Sequence, residues 1–269
     1  MFKKYWKFFV IFWSVVLVGI IGVFVFFWLI SAGKLGFMPT FEELENPNNR
    51  FASEVYFADG PIMNRYFEKE NRKYIEYREI PQSVIDALIA TEDVRFYDHS
   101  GVDVRGLFRV AKGLLTANTS AGGGSTISQQ LAKMLFPRES DLNVFELAIR
   151  KFREWVIAVR LEKSYTKEEI LTMYLNKYDF LNLAVGISSA ADIYFQVPLD
   201  SLKVEQAAML IGMAKNSSYY NPVRRPELTL NRRNVVLSQM YKYDKITREE
   251  CDSLKKLPLG LNFKRVDHK

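Results

Sequence analysis

The chain has 269 residues, a formal net charge of +6, 14% aromatic residues, one cysteine and two histidines. A single cysteine excludes an internal disulfide and a thiolate metal cluster. With His99 and His268 as the only histidines, a histidine-based zinc site and most Ser-His-Asp triads are also excluded. The excess of positive charge favours an anionic partner such as lipid headgroups, a pyrophosphate or nucleic acid.

Residues 8–30 form an uncharged apolar run that is long enough, as a helix, to cross the hydrocarbon core of a membrane. Lys3, Lys4 and Lys7 precede the run and only Lys34 follows it closely, so the positive-inside rule places residues 1–7 in the cytoplasm. A cleaved signal peptide is the alternative, but the run is longer than a usual signal core and lacks an A-x-A cleavage pattern. The sequence predicts an uncleaved single-pass anchor in the cell (inner) membrane, with the rest of the chain on the outer or periplasmic side. Nucleic acid is not expected there.

The residues after the anchor predict a mainly α-helical domain. Residues 31–79 are expected to form a linker and membrane-proximal segment, with a hairpin-like pair of strands around Asp59 and Gly60. Helical spacing and capping residues then predict a domain over residues 80–243 and a C-terminal helix and tail over 244–269. Predicted helices begin near Pro81, Asp103, Asn143, Thr166, Val204, Pro226 and Thr247. The long helix after Asn143 is expected to turn these side chains inward: Phe145, Ala148, Phe152, Trp155, Val156 and Val159.

The first motif, ATEDVRFYDHSG at residues 90–101, follows an apolar helix. It places Glu92 at the end of that helix, near Phe96 and Tyr97. A lone glutamate at such a position is usually an exposed carboxylate. Nearby aromatic rings would remove water from Glu92 and make it a better general base.

The second motif, GGGSTISQQLAK at residues 122–133, is a glycine hinge that leads into a helix capped by Ser125 or Thr126. Thr126, Gln130 and Lys133 fall on one face, next to Gln129, and the apolar residues fall on another. Amides and a lysine near a helix N-terminus suit sugar hydroxyls and phosphate oxygens. The alternative is a linker that enters an ordinary surface helix.

In the third motif, Arg150 and Lys151 stand four and three residues before Glu154 and can share a helix face with it. Salt bridging at a helix surface would explain this spacing too. Arg138 is a further candidate for phosphate binding.

In this order, the three motifs resemble those of the peptidoglycan glycosyltransferases, glycosyltransferase family 51. That family includes monofunctional transglycosylases and the glycosyltransferase module of class A penicillin-binding proteins. The first motif matches E-D-x-x-F-x-x-H-x-G, the third R-K-x-x-E, and the resemblance runs from about Ile80 to Met240. It implies Glu92 and Glu154 as catalytic carboxylates, and orienting or structural roles for Asp93, Phe96, His99 and Gly101. The implied substrate-binding residues are Ser125, Thr126, Gln129, Gln130, Lys133, Arg138, Arg150, Lys151 and Asn216.

The resemblance also implies a lysozyme-like fold and an activity. Such an enzyme polymerises lipid II into β-1,4 glycan strands with inversion, while undecaprenyl pyrophosphate leaves. Glu92 would act as the base, Lys133, Arg150 and Lys151 would neutralise the leaving group, and Glu154 would hold these cations or a divalent metal. No organic cofactor is implied, and a Mg or Mn ion is an option. The implied partners are lipid II, the growing lipid-linked glycan, membrane lipids and other cell-wall synthesis proteins.

Two other functions remain open from the sequence. A lytic muramidase could share the fold and a single glutamate, and a membrane-anchored scaffold could share the anchor. The basic cluster next to a second acid favours the glycosyltransferase over both.

Two further segments carry expectations. The helix with Arg105, Arg109 and Lys112 is expected to lie at the membrane surface, and a buried helix with a solvated basic edge is the alternative. The tail LPLGLNFKRVDHK resembles the approach to a transpeptidase domain in bifunctional relatives of the Bacteroidetes type, but no Ser-x-x-Lys set follows, so this polypeptide is not expected to bind β-lactams.

Overall fold

The computed structural model describes residues 2–40, 53–56, 62–66, 71–116, 123–135 and 143–264. Its first helix, α1, spans Phe2–Ser31. Within it, Tyr5–Ser31 is long and apolar enough to cross a membrane, and none of its most apolar stretch is buried by the rest of the chain. The predicted membrane-spanning helix is therefore present, and it fits a membrane-anchored protein.

Short strands follow the anchor. Strand β1 (Ser53–Tyr56) pairs antiparallel with β2 (Ile62–Tyr66), so the predicted hairpin-like pair is confirmed, while Asp59 and Gly60 lie outside the described residues. Strand β3 (Asn71–Arg72) pairs parallel with β4 (Ala184–Val185). The Asn176 side chain bonds both backbone groups of Ile75, at 3.0 and 2.9 Å. These contacts join the segment before residue 80 to the helical domain.

Nine further helices follow in the described ranges, and together with α1 they make up most of the described residues, which confirms a mainly α fold. They are α2 (Gln82–Glu92), α3 (Val104–Leu115), α4 (Ile127–Leu135), α5 (Val144–Ser164), α6 (Lys167–Lys177), α7 (Ile187–Phe195), α8 (Val204–Met213), α9 (Pro226–Lys242) and α10 (Arg248–Lys256).

The helix starts follow from local capping chemistry. The side chains of Asn143, Thr166 and Thr247 each accept a bond from the N–H of the third residue of the following helix. In each capping box the cap residue's own N–H donates to the glutamate side chain at that third position. The Asp103 carboxylate accepts from the Gly106 N–H at 2.9 Å at the start of α3. These predicted caps are therefore confirmed.

The core forms where α8 packs between α2 and α9, and where α4 packs against α5 and α6. Helix α8 is apolar nearly all round, and its residues 207–213 are buried. A helix without a polar face has to lie at the centre of a domain. The ends of α2 and α4 meet beside this centre and position the candidate site.

The predicted inward face of α5 is wrong. Phe145 and Ala148 are exposed, and the buried residues are Arg153, Glu154, Ile157, Ala158 and Leu161. Phe152 instead meets the anchor edge-on, with ring centroids 5.3 Å from Phe26 and 5.7 Å from Phe27. The apolar stripe of α5 serves two partners, because one side packs on α4 and another on α1.

Candidate active site

Glu92 is the last residue of α2 and faces a cleft of about 410 Å³. Its side chain is 14% exposed. The Gln130 amide Nε2 donates to Glu92 Oε2 at 2.9 Å, and the Arg232 guanidinium lies 3.4 Å from Glu92 Oε1. Each carboxylate oxygen therefore has one polar neighbour and keeps a further lone pair for another proton.

Gln130 is held in turn by Tyr174 of α6, whose hydroxyl donates to Gln130 Oε1 at 3.0 Å. Tyr174 is 1% exposed. Burial first, and then the nearby charge of Glu92, raises the pKa of the Tyr174 hydroxyl well above its ordinary value. The hydroxyl therefore stays protonated and remains a donor.

The rest of the first motif forms a buried network that starts α4. The Asp93 carboxylate accepts from the Ile127 N–H at 3.0 Å and lies 3.0 Å from His99 Nε2. The Gly101 N–H donates to His99 Nδ1 at 3.2 Å, so we assign the proton of the ring to Nε2, facing Asp93. This geometry suits Asp93 and His99 to orienting the loop rather than to contact with a substrate.

The carbonyl oxygen of Gly101 joins the first motif to the second. It accepts from Thr126 Oγ1 at 2.7 Å and from Gln129 Nε2 at 3.2 Å. Thr126 Oγ1 also accepts from the Gln129 N–H, which makes Thr126 the cap of α4. Gln129 is 1% exposed, so this side chain positions the helix and is turned away from solvent.

Lys151 of the third motif contacts the second motif. Its ammonium donates to Ser125 Oγ at 3.0 Å and to Glu154 Oε2 at 2.8 Å. Glu154 is 9% exposed, whereas Ser125 lines the cleft. Glu154 therefore lies behind Ser125, and the Lys151 side chain, which is 42% exposed, joins the two.

The cationic side chains of the cleft differ from those expected. Lys133 and Arg150 are described but do not line the cleft, and the same holds for Asn216, whose side chain accepts from the Tyr219 N–H. Arg138 lies outside the described residues. The cleft is lined instead by these cations: Arg109, Lys215, Arg232 and Lys242.

The expected surroundings of Glu92 also need correction. Phe96 is buried, with its ring 4.3 Å from the Lys167 ammonium, and Tyr97 is 56% exposed. Of the described residues that line the cleft, none is Phe96 or Tyr97. Glu92 is surrounded by an amide and a guanidinium, since the loop turns the aromatic pair towards α6.

Sequence reasoning missed two neighbours of Glu92, Arg232 and Tyr174. Arg232 belongs to RRNVVLSQM, which reads as core packing, and its neighbour Arg233 is indeed fully buried. Tyr174 belongs to the run LTMYLN, where a tyrosine among apolar residues reads as core.

The described side chains alone do not form a dedicated site for a divalent cation. Within the described ranges, no three His, Cys, Asp or Glu side chains come together. The Glu154 carboxylate, the expected ligand, already accepts a charge-assisted bond from Lys151. We therefore derive no chemical step from a bound metal.

Comparison with known proteins finds a family model and several similar proteins. A family model described as Transglycosylase matches residues 59–241. The chain is similar to penicillin-binding protein 1A of Escherichia coli (strain K12), with 36% identity over 226 residues that cover 84% of this chain and 26% of the relative. It is similar to penicillin-binding protein 1A of Haemophilus influenzae as well, with 36% identity over 235 residues, 87% of this chain and 26% of the relative.

The chain thus spans about a quarter of the length of these curated relatives. A crystal structure at 2.6 Å resolution of penicillin-binding protein 1A from Haemophilus influenzae has a TM-score of 0.46 and 22% identity to this chain, and the match covers 81% of this chain and 22% of that one. The family match covers well over half of the 269 residues. The chain belongs to the transglycosylase family.

Proposed function

We propose that this protein is a peptidoglycan glycosyltransferase, which polymerises lipid II into β-1,4 glycan strands with inversion and releases undecaprenyl pyrophosphate. One observation carries the proposal: a carboxylate, Glu92, is held by two polar side chains in a cleft whose described lining residues include four cations. A base beside concentrated positive charge suits a reaction in which the sugar hydroxyl that is activated belongs to a substrate carrying an anionic pyrophosphate.

Glu92 acts as the general base in the proposed reaction. It takes the proton of the GlcNAc 4-hydroxyl of the acceptor, and the hydroxyl oxygen attacks the anomeric carbon of the donor MurNAc. A new C–O bond forms on the face opposite the leaving group, while the bond to pyrophosphate breaks. The α-linkage of the donor becomes β-1,4, and the lipid pyrophosphate leaves with both electrons of the broken bond.

Two lipid-linked substrates bring two pyrophosphates to the site, and the protein offers two groups of cations. Arg109, Lys215 and Lys242 line the cleft together with Arg232. Lys133 lies on α4 one turn beyond Gln130, and Arg150 and Lys151 lie on the neighbouring α5. We assign the leaving pyrophosphate to this second group, as the family resemblance implies, and the acceptor pyrophosphate to the cleft cations.

The side of the domain that we expect to face the membrane is the one that carries α1 and the exposed face of α3. Phe108 and Val104 of α3 are 73% and 57% exposed, next to the exposed Arg105 and Lys112. Apolar side chains flanked by cations suit a helix that lies at the headgroups. We place the N-terminus in the cytoplasm and the cleft on the outer or periplasmic side, where lipid-linked sugars meet Arg109.

Replacement of Glu92 tests the proposal. Glu92→Gln keeps the size and polarity of the side chain but removes the base, so we expect polymerisation to fall on the order of 10²-fold or more. The rate is measured on lipid II in detergent, with product length and undecaprenyl pyrophosphate quantified together. Glu168→Gln, at an exposed position of α6, is the matched control and should behave like the wild type.

The same assay separates the other functions. A lytic muramidase would cleave polymeric glycan and release no undecaprenyl pyrophosphate from lipid II, and a scaffold would do neither. A wild-type protein that releases no lipid pyrophosphate, or a Glu92→Gln variant that polymerises at the wild-type rate, would refute the proposed role.

A further inference from the structure

We propose that Tyr174 is a positioning residue for the general base: its hydroxyl holds the Gln130 amide with Nε2, rather than Oε1, towards Glu92. The inference rests on the proposed function, because it takes Glu92 to be the base. It adds a residue that never contacts the substrate and acts only through Gln130.

The contacts form a chain of two hydrogen bonds. The Tyr174 hydroxyl donates to Gln130 Oε1 at 3.0 Å, and Gln130 Nε2 donates to Glu92 Oε2 at 2.9 Å. Tyr174 is fully buried on α6, and Gln130 lies in the first turn of α4, where Thr126 and Asp93 hold the helix start. The packing of α6 and of the start of α4 therefore holds both Tyr174 and Gln130 in place.

The Gln130 amide needs a hydrogen-bond donor such as the Tyr174 hydroxyl, because the amide alone does not determine whether its oxygen or its nitrogen faces Glu92. Rotation by half a turn exchanges the oxygen and nitrogen of Gln130 with almost no change in shape. With Oε1 towards an ionised Glu92, two acceptors would face each other across a half-buried site, at a desolvation cost. A hydroxyl that remains a donor selects the other orientation, in which Gln130 stabilises the ionised base.

The remaining groups around Glu92 do not depend on Tyr174. Arg232 approaches from α9 at 3.4 Å, and Lys215 lines the same cleft. The Asp93 carboxylate is turned away, towards His99 and the Ile127 N–H. The hydroxyl of Tyr178, the residue that follows α6, donates to the carbonyl oxygens of Met213 and Ala214 instead.

The pH profile of polymerisation tests this role. Tyr174→Phe keeps the ring and removes only the hydroxyl, so Gln130 stabilises the Glu92 anion less well. We expect the acidic limb of the kcat profile to move about 0.5 to 1 pH unit higher, which corresponds to one hydrogen bond. The plateau kcat should fall roughly tenfold, which is less than the full contribution of a general base to the rate. KM should stay within about twofold of the wild-type value.

Tyr178→Phe is the matched control, since it removes the hydroxyl of a tyrosine that follows α6 directly. The ring centroids of Tyr178 and Tyr174 lie 6.0 Å apart. The acidic limb of Tyr178→Phe should coincide with that of the wild type. A Tyr174→Phe profile that superposes on the wild type would overturn the inference. An equal displacement in Tyr178→Phe would overturn it too, because the effect would then be general packing.

A double variant shows whether Tyr174 acts through Gln130. In a Gln130→Ala protein the amide is gone, so adding Tyr174→Phe should move the acidic limb no further. Additive displacements would mean that Tyr174 reaches Glu92 by another route, which contradicts the inference. Thermal unfolding of each variant identifies any that fail to fold, and the remaining variants of the cycle are then compared.

A measurement without turnover separates this inference from the proposed function. The infrared carboxyl band of Glu92, identified by subtraction of the Glu92→Gln spectrum, is followed against pH in the wild type and in Tyr174→Phe. Protonation at higher pH in Tyr174→Phe supports the positioning role even if lipid II is not polymerised. Identical titrations, in a protein that does polymerise lipid II, would reject the role of Tyr174 alone.

Discussion

Gly101 lies where the first motif touches α5, and its backbone leaves no room for a side chain. Its φ is +91°, and an added Cβ would lie 2.7 Å from the carbonyl carbon of Ala158 and 2.8 Å from the nitrogen of Val159. The carbonyl of the same glycine holds Thr126 and Gln129 at the start of α4. One residue thus couples the loop after Glu92 to two helices.

We predict that Gly101→Ala destabilises the protein by about 2 to 5 kcal/mol, the sum of a left-handed backbone and an overpacked contact with main-chain atoms. Unfolding in denaturant measures the change. Gly260→Ala is the control: its φ is +64°, but no described atom lies within 4 Å of the added Cβ. It should cost only about 1 to 2 kcal/mol. Equal losses for the two variants would show that the contact with α5 contributes nothing.

At the scale of an element, α3 depends on Asp103. This carboxylate caps the helix through the Gly106 N–H and pairs with the Arg95 guanidinium. Burial acts to raise the pKa of Asp103, but the bonds from Arg95 and Gly106 and the charge of Arg95 outweigh it, and the pKa is lowered. Its contribution to stability is therefore complete above the unfolded pKa of 3.8 and is lost as pH falls through the lower folded value.

We expect Asp103→Ala to cost about 1 to 2 kcal/mol through the lost cap. Asp103→Asn should cost less, because its side-chain oxygen still caps the helix while the ion pair with Arg95 is lost. The difference in unfolding free energy between wild type and Asp103→Asn should be constant near neutral pH and shrink below about pH 4, as Asp103 gains a proton. Denaturant unfolding at several pH values measures it, and a difference that grows on acidification would contradict the assignment.

At the scale of the whole molecule, the anchor is not only linked to the domain by the chain but also packs against it. Phe26 and Phe27 meet Phe152 of α5, and Arg160 donates to the carbonyl oxygens of Ser31 and Pro39. The main hydrophobic core nevertheless contains no residue of α1 among its described members. The anchor therefore orients the domain at the membrane, while the core is built without it.

Deletion of residues 1–31 should leave a folded domain with lower stability and lower solubility, because the Phe152 side of α5 becomes exposed. Activity on lipid II in detergent should persist, whereas activity on lipid II in vesicles should fall. Circular dichroism and the two activity assays, with the full chain as control, test this. A truncated domain without a cooperative unfolding transition would show that α1 is part of the folding unit.

The sequence by itself determined the helices and the membrane-spanning segment, because caps, turns and apolar runs act over a few residues. It also singled out Glu92, since a carboxylate at the end of an apolar helix is a local pattern. It did not show that α5 would divide its apolar residues between α4 and the anchor. This choice depends on which elements pack on each side.

Only the tertiary structure decided what surrounds Glu92. Gln130, Tyr174 and Arg232 come from three different helices, and Arg232 lies 140 residues away along the chain. The expected aromatic neighbours turned towards α6, and the expected lysine and arginine of α4 and α5 lie outside the cleft lining. A site assembled from the ends of separate helices depends on how those helices pack, and packing is a property of contacts that are distant in the sequence.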